Sequence, residues 1–171
     1  MAIDYQQIGE SISRINWDIE ELMSQHSPYV DTLLRQVDQI IFDINSLNGM
    51  FVVERRILNI FLEQSIRHIM KSLVDGYGMV KKCSNEGRAL MQLDFQQLIV
   101  KLEKICDIRP IPDKDYVEFY IKAYYLPDSS LEKWVKDHTE YSQKNIISLL
   151  NLMAQATRKT KLNIVASFAE S

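Results

Sequence analysis

Ile8, Ile12, Ile15, Ile19 and Leu22 recur at alternating steps of four and three residues, which places them in one stripe along a helix. The stripe predicts a first helix with a seam for a second. Ser27 and Pro28 stop and restart the chain, since serine caps a helix and proline suits its first position. A second helix follows through Val30, Leu33, Leu34, Val37, Ile41, Ile44 and Leu47, with Asn48 and Gly49 placed to close it in a left-handed cap. A third, over about 50–74, turns Val53, Ile57, Ile60, Phe61, Ile69, Met70 and Leu73 inward and Glu54, Arg55, Arg56, Glu63 and Arg67 to water. Asp75, Gly76 and Gly78 then weaken helix formation. Residues 75–87 hold three of the five glycines, which makes them the candidate for an irregular connection or a hinge, with one bundle or two sub-bundles both compatible with the pattern.

The helical pattern returns over 88–106, with Leu90, Leu93, Leu98, Leu102 and Ile105 inward. Arg109-Pro110-Ile111-Pro112-Asp113 reads as extended, because each proline removes a donor and disfavours helix in the residue before it. Asp113 is placed to cap a helix over 114–126. That helix is apolar nearly all round, with Glu118 and Lys122, one turn apart, as its polar strip. Pro127 ends it, and Ser129 with Glu132 three residues later predicts a capping box. Leu131, Trp134, Val135 and His138 share a face, and Ile146, Leu149, Leu150 and Met153 continue the pattern with or without a bend near Thr139. A last short helix is expected over 161–169. No strand alternation and no repeat is present, so the chain reads as one all-α domain over 1–171, an elongated antiparallel bundle of about seven to eight helices.

Composition narrows the class. A chain of 171 residues can bury ~70% of its unfolded surface without metals or disulfides. A net charge of −3, from 20 basic and 23 acidic side chains, is no polycation and argues against a nucleic-acid partner. Cys83 and Cys106 form no CxxC pair, which suits a reducing compartment. No apolar run approaches the roughly 20 residues that span a bilayer, and Asp4 and Glu10 do not suit a secretory signal, so any membrane association is expected to be peripheral. A helix under way close to Met1 suggests a piece of a longer chain.

Candidate chemistry is sparse. Gly76-Tyr77-Gly78 lacks the lysine and serine of a phosphate loop. His26, His68 and His138 stand singly, without ligand spacing. Glu20 and Glu21 point to different parts of a helix surface and make no acid/base pair. Cys83, beside Lys81 and Lys82, is at most a mildly activated thiol with no base partner in view. The aromatic run from Tyr116 to Tyr125 lacks the interleaved arginines of a stacking platform and reads as core. Arg158-Lys159-Thr160-Lys161 falls short of a lipid-binding cluster of four to eight cations and reads as a solvated face. No catalytic, metal or cofactor residue is assigned.

Three strings carry a resemblance: Gly87-Arg-Ala-Leu-Met-Gln-Leu-Asp-Phe-Gln-Gln97, Arg109-Pro-Ile-Pro-Asp-Lys-Asp-Tyr116 and Tyr120-Ile-Lys-Ala-Tyr-Tyr-Leu126, extended by Glu132-Lys-Trp-Val-Lys136 and Glu140-Tyr-Ser142. They resemble the carboxy-terminal region of the syndetin family, most strongly over 81–152. The resemblance implies a helical tethering-complex rod of the CATCHR type. It also implies a non-catalytic role in the endosome-associated recycling complex (EARP), with sister subunits, SNAREs and an accessory EARP-interacting protein as partners. Endosomal recycling, SNARE-dependent fusion and dense-core vesicle maturation would be the processes, on recycling endosome and trans-Golgi membranes. A helical adaptor such as a small-GTPase effector, or a subunit of a sister tethering complex, is the alternative. A rigid proline turn presents nearby polar groups reproducibly, which makes Arg88, Arg109, Lys114, Glu118, Lys122, Trp134 and Lys136 the candidate partner-binding surface.

Overall fold

The structure is a computed structural model that describes residues 3–50 and 54–170. Its described residues form eight helices and no strand: α1 Tyr5–Ser13, α2 Pro28–Met50, α3 Arg55–Gly78, α4 Asn85–Ile105, α5 Lys114–Ala123, α6 Asp128–Asp137, α7 Gln143–Leu152 and α8 Arg158–Phe168. The all-α expectation holds. α3 is the hub, packing against α1, α5 and α7, while α2 and α5 flank α4, and α8 lies on α6 and α7.

The first helix is shorter than its stripe. α1 ends at Ser13, and Ile15 and Ile19 sit half-buried in a non-helical run while Leu22 is exposed. Trp17 explains the break. Its side chain is only 1% exposed, and its indole Nε1 donates to the Ile12 carbonyl at 2.9 Å, one of the last-turn acceptors that a helix leaves unpaired. The ring meets Tyr29 and Tyr77 edge-on, with centroids 6.5 and 6.2 Å away. A continued helix would have carried Trp17 away from that pocket, so core burial overrides the local pattern.

The glycines of 75–87 mark close approaches instead of breaking the helix, Gly76 and Gly87 to backbone and Gly78 to the Asn145 side chain. α3 runs on through Gly78, and only 79–84 is irregular before Ser84 caps α4 by accepting from the Gly87 amide at 3.0 Å. A Cβ on Gly76 would meet the Gly9 Cα at 3.0 Å, so these two glycines let α1 and α3 cross closely. Gly87 lies against the Trp17 carbonyl.

Several caps differ from expectation. Gly49 lies inside α2, and no described glycine has positive φ. Asp113 does adopt a left-handed φ of 58°, but its carboxylate accepts from Arg67 Nη1 at 2.7 Å and does not cap α5. The proline segment is free of helix as expected, but it bends and turns where a straight run was expected. The Ser129–Glu132 box does not form. Helix α6 starts two residues earlier, with Pro127 in place of Ser129 at the cap position, and Asp128 instead accepts from the Thr157 amide at 2.7 Å and the Thr160 hydroxyl at 2.9 Å, holding the start of α8. The bend near Thr139 is real, separating α6 from α7. In α3, Ile57, Ile60 and Phe61 point to solvent, while Val53 lies outside the described residues.

Candidate functional site

Of the seven surface candidates, Lys114, Glu118 and Lys122 come together. Successive turns of α5 bring them to one wall of a groove of about 320 Å³, whose other wall is α4. Phe95, Val100 and Ile121 provide apolar surface in it, and Gln92, Gln96 and Gln97 line it with amides. Lys122 Nζ pairs with the Glu118 carboxylate one turn away. An apolar floor with a polar rim can take up a hydrophobic side chain and orient its backbone, which is the general form of a peptide-binding groove.

Arg109 belongs to a neighbouring cavity of about 530 Å³ beside the prolines, which shares Lys114 with the first. Its guanidinium donates to the Glu103 carbonyl at 2.7 Å, which ties the proline segment to the last turn of α4. Trp134 is half-buried in a stack. It lies 5.4 Å from the Tyr141 ring at 20° and 4.7 Å from His138, and Tyr141 in turn stacks on Tyr116 at 4.7 Å. Burial pushes the Tyr116 phenol up to about 12. Lys136 is exposed on α6 and lines neither cavity.

Arg88 is not a surface residue. It is fully buried, with Nε donating to the Ile121 carbonyl at 2.9 Å and Nη2 to the Tyr120 carbonyl at 2.8 Å. Its guanidinium carbon lies 5.5 and 5.2 Å from the Tyr120 and Tyr124 ring centres. Both carbonyls belong to the last turn of α5, where helix dipoles gather partial negative charge, so the cation caps that helix from the side. Arginine suits this place because its planar fork can reach two acceptors while its faces stack on rings.

Asp94, also on α4, does the converse. It is fully buried, and its Oδ1 accepts from the Ser27 amide at 2.6 Å, at the positive end of α2. Its Oδ2 has no hydrogen-bond partner among the described residues. Burial raises the carboxyl above its usual value, with the Ser27 amide opposing. A carboxyl whose folded value is raised adds stability below its unfolded value and loses it as pH rises through the folded one. Domain stability should therefore rise as pH falls from neutral toward the ordinary carboxylate range. Asp94→Asn, which keeps an acceptor for Ser27, should flatten that component and change neutral-pH stability by no more than about 1 kcal/mol. Urea midpoints measured across pH check both outcomes.

Burial raises the Cys83 thiol, the reverse of the activation that neighbouring lysines suggested. Tyr120 donates its hydroxyl to the Asn145 carbonyl at 2.9 Å and Tyr124 to the Cys83 carbonyl at 3.3 Å, so these two are core with satisfied hydroxyls, whereas Phe119 and Tyr125 of the same aromatic run are exposed and correct the expectation that all of it is buried. Among the described residues no three metal-ligating side chains cluster, and no helix is long and apolar enough to cross a membrane. The sequence carries one sign of the buried polar pair on α4, its place on the apolar stripe, and none of the groups that offset the cost of burial. Arg88 and Asp94 fall on the same stripe as Met91, Phe95, Leu98 and Leu102.

Comparison with known proteins identifies the family. The family model described as "Syndetin, C-terminal" matches residues 1–168. The chain is 47% identical to syndetin of Rattus norvegicus over 168 residues, which is 97% of this chain and 17% of the rat protein. It is 47% identical to syndetin of Mus musculus over 171 residues, 18% of that protein, and 46% identical to syndetin of Gallus gallus over 168 residues. It thus spans under a fifth of the length of these relatives. No solved structure matches it. A family match over almost the whole length, together with near-half identity to three relatives, places the chain in the syndetin family as a carboxy-terminal domain.

Proposed function

We propose that this domain is a non-catalytic interaction module of a subunit of an endosomal tethering complex, and that the α4/α5 groove is where it takes a partner. Its setting is the cytoplasmic face of recycling endosomes and trans-Golgi membranes. There the assembled complex acts in recycling of cargo to the plasma membrane, in SNARE-dependent fusion and in dense-core vesicle maturation. The sister subunits are the constitutive partners, and a SNARE or an accessory factor is the occupant of the groove. One observation carries the choice of surface: Lys114, Glu118 and Lys122 line an apolar-floored groove, whereas Arg88 is withdrawn into the core. The 171 residues act as a single folding unit, a reading supported by bonds from the segment around Trp17 to Ser84, inside the supposed hinge, and from the Ser27 amide to Asp94 beyond it.

Reversing two charges at an interface rim should weaken binding by roughly tenfold or more. Lys114→Glu with Lys122→Glu, placed in the full-length protein and followed by affinity purification with quantitative mass spectrometry, should deplete one accessory or vesicle protein. The sister subunits should stay. Unchanged recovery of every component would remove the groove from consideration.

A further inference from the structure

α8 packs against α6 and α7 through Thr160 and Ile164, with Ser167 and Phe168 half-buried behind them. At 3.6 residues per turn, Leu162 then stands at the centre of the opposite face, with Val165, Ala166 and Ala169 beside it. Leu162 is 60% exposed and Val165 45%. Arg158 heads this apolar strip, and Lys159 and Lys161 lie on its two edges.

The charges on α8 are one-sided. It has no acidic residue, and among the described residues none of Arg158, Lys159 and Lys161 takes part in an ion pair. The carboxylates that touch this helix, Asp128 and Glu132, come from α6 and are engaged by Thr157, Thr160 and Asn163. Three cations therefore occupy the first turn of a helix, where the dipole is positive and acidic side chains would be favoured. Folding stability does not explain them.

We propose that the outward face of α8 docks on an anionic lipid surface, with Leu162 and Val165 entering the headgroup boundary while Arg158, Lys159 and Lys161 meet lipid phosphates and carboxylates. Three cations alone fall short of a lipid-binding cluster, and it is the exposed apolar strip they border that sets this run apart from a solvated face, since an apolar strip edged by cations is the pattern of a helix lying in a membrane interface. Each cation supplies about a fivefold gain in affinity. The proposal stands apart from the α4/α5 groove and does not depend on it.

The test is flotation of the 171-residue chain with phosphatidylcholine vesicles and with vesicles of equimolar phosphatidylcholine and phosphatidylserine. The chain should float only with the anionic vesicles and be released as salt is raised. The double variant Arg158→Ala, Lys159→Ala should bind roughly 25-fold more weakly, as two cations at fivefold each. Leu162→Ser should also weaken binding, although it leaves every charge in place. All three side chains are exposed, so circular dichroism should show wild-type helicity. Equal binding to neutral vesicles, no binding to either, or unchanged affinity in both variants would overturn the proposal. So would binding to soluble polyglutamate without binding to vesicles, which would assign the face to an acidic protein.

Discussion

Arg88→Ala should destabilise the domain by about 3–5 kcal/mol and lower its melting midpoint by roughly 6–20 °C. The guanidinium is the donor to two carbonyls at the end of α5, it is sealed from solvent, and two tyrosine rings pack against it. Alanine removes the donors, leaves the acceptors facing a cavity and takes away a cation that opposed the α5 dipole. These losses act in the same direction. Arg88→Lys keeps the charge but cannot supply the planar two-pronged geometry, so it should recover only part of the loss. Urea denaturation followed by circular dichroism measures both. A loss below about 1 kcal/mol for alanine would mean that water reaches those carbonyls and that the cation is not their main partner.

Gly87→Ala should cost about 3 kcal/mol or more, although it adds a single methyl group. A Cβ there would lie 1.7 Å from the Trp17 carbonyl oxygen and 2.7 Å from its carbon. That oxygen also accepts from the Ser84 amide at 3.1 Å, so relieving the clash means parting the 17–19 segment from the start of α4 and drawing Trp17 out of the core. Gly49→Ala is the counterpart. Nothing lies within 4 Å of its Cβ position and the backbone there is helical, so it should stabilise by about 0.4–1 kcal/mol. Tryptophan fluorescence and far-ultraviolet ellipticity should show coincident transitions in the parent chain. Two separate transitions would restore a hinge between sub-bundles.

The helices were legible wherever a single face decides the structure. α2, α4 and α7 each carry an apolar stripe, and the breaks that flank them lie near the observed ends. Legibility failed where a distant group competes with the local signal. Ile15 and Ile19 prolong the stripe of α1, but Trp17 takes the chain out of helix because its pocket lies among α2 and α3. Gly76 and Gly87 look like punctuation in sequence, and only the crossing of α1 and the return of residue 17 show that they are contact points.

Arg88 failed for another reason. A charged residue is read as exposed because burying a charge is costly, and what offsets that cost here is the end of a different helix. No spacing rule says where that end will be. The candidate surface was therefore half-legible: the i, i+4 pair Glu118–Lys122 and nearby Lys114 are where the pattern put them, while Trp134 and Arg109 serve neighbouring packing.

Purely oily helix contacts tolerate slippage, because one leucine can take the place of the next when a helix slides by a turn of about 5.4 Å. α4 cannot slide in this way. Moving it along α2 would strand the Asp94 carboxylate beneath methyl groups, and moving it along α5 would leave Arg88 facing side chains instead of carbonyls. The two charges work as detents that lock three helices into one alignment, and they do so without forming an ion pair with each other. Whatever settles between α4 and α5 thus meets a mould of constant shape, and changes to exposed rim residues can alter the occupant without loosening the walls.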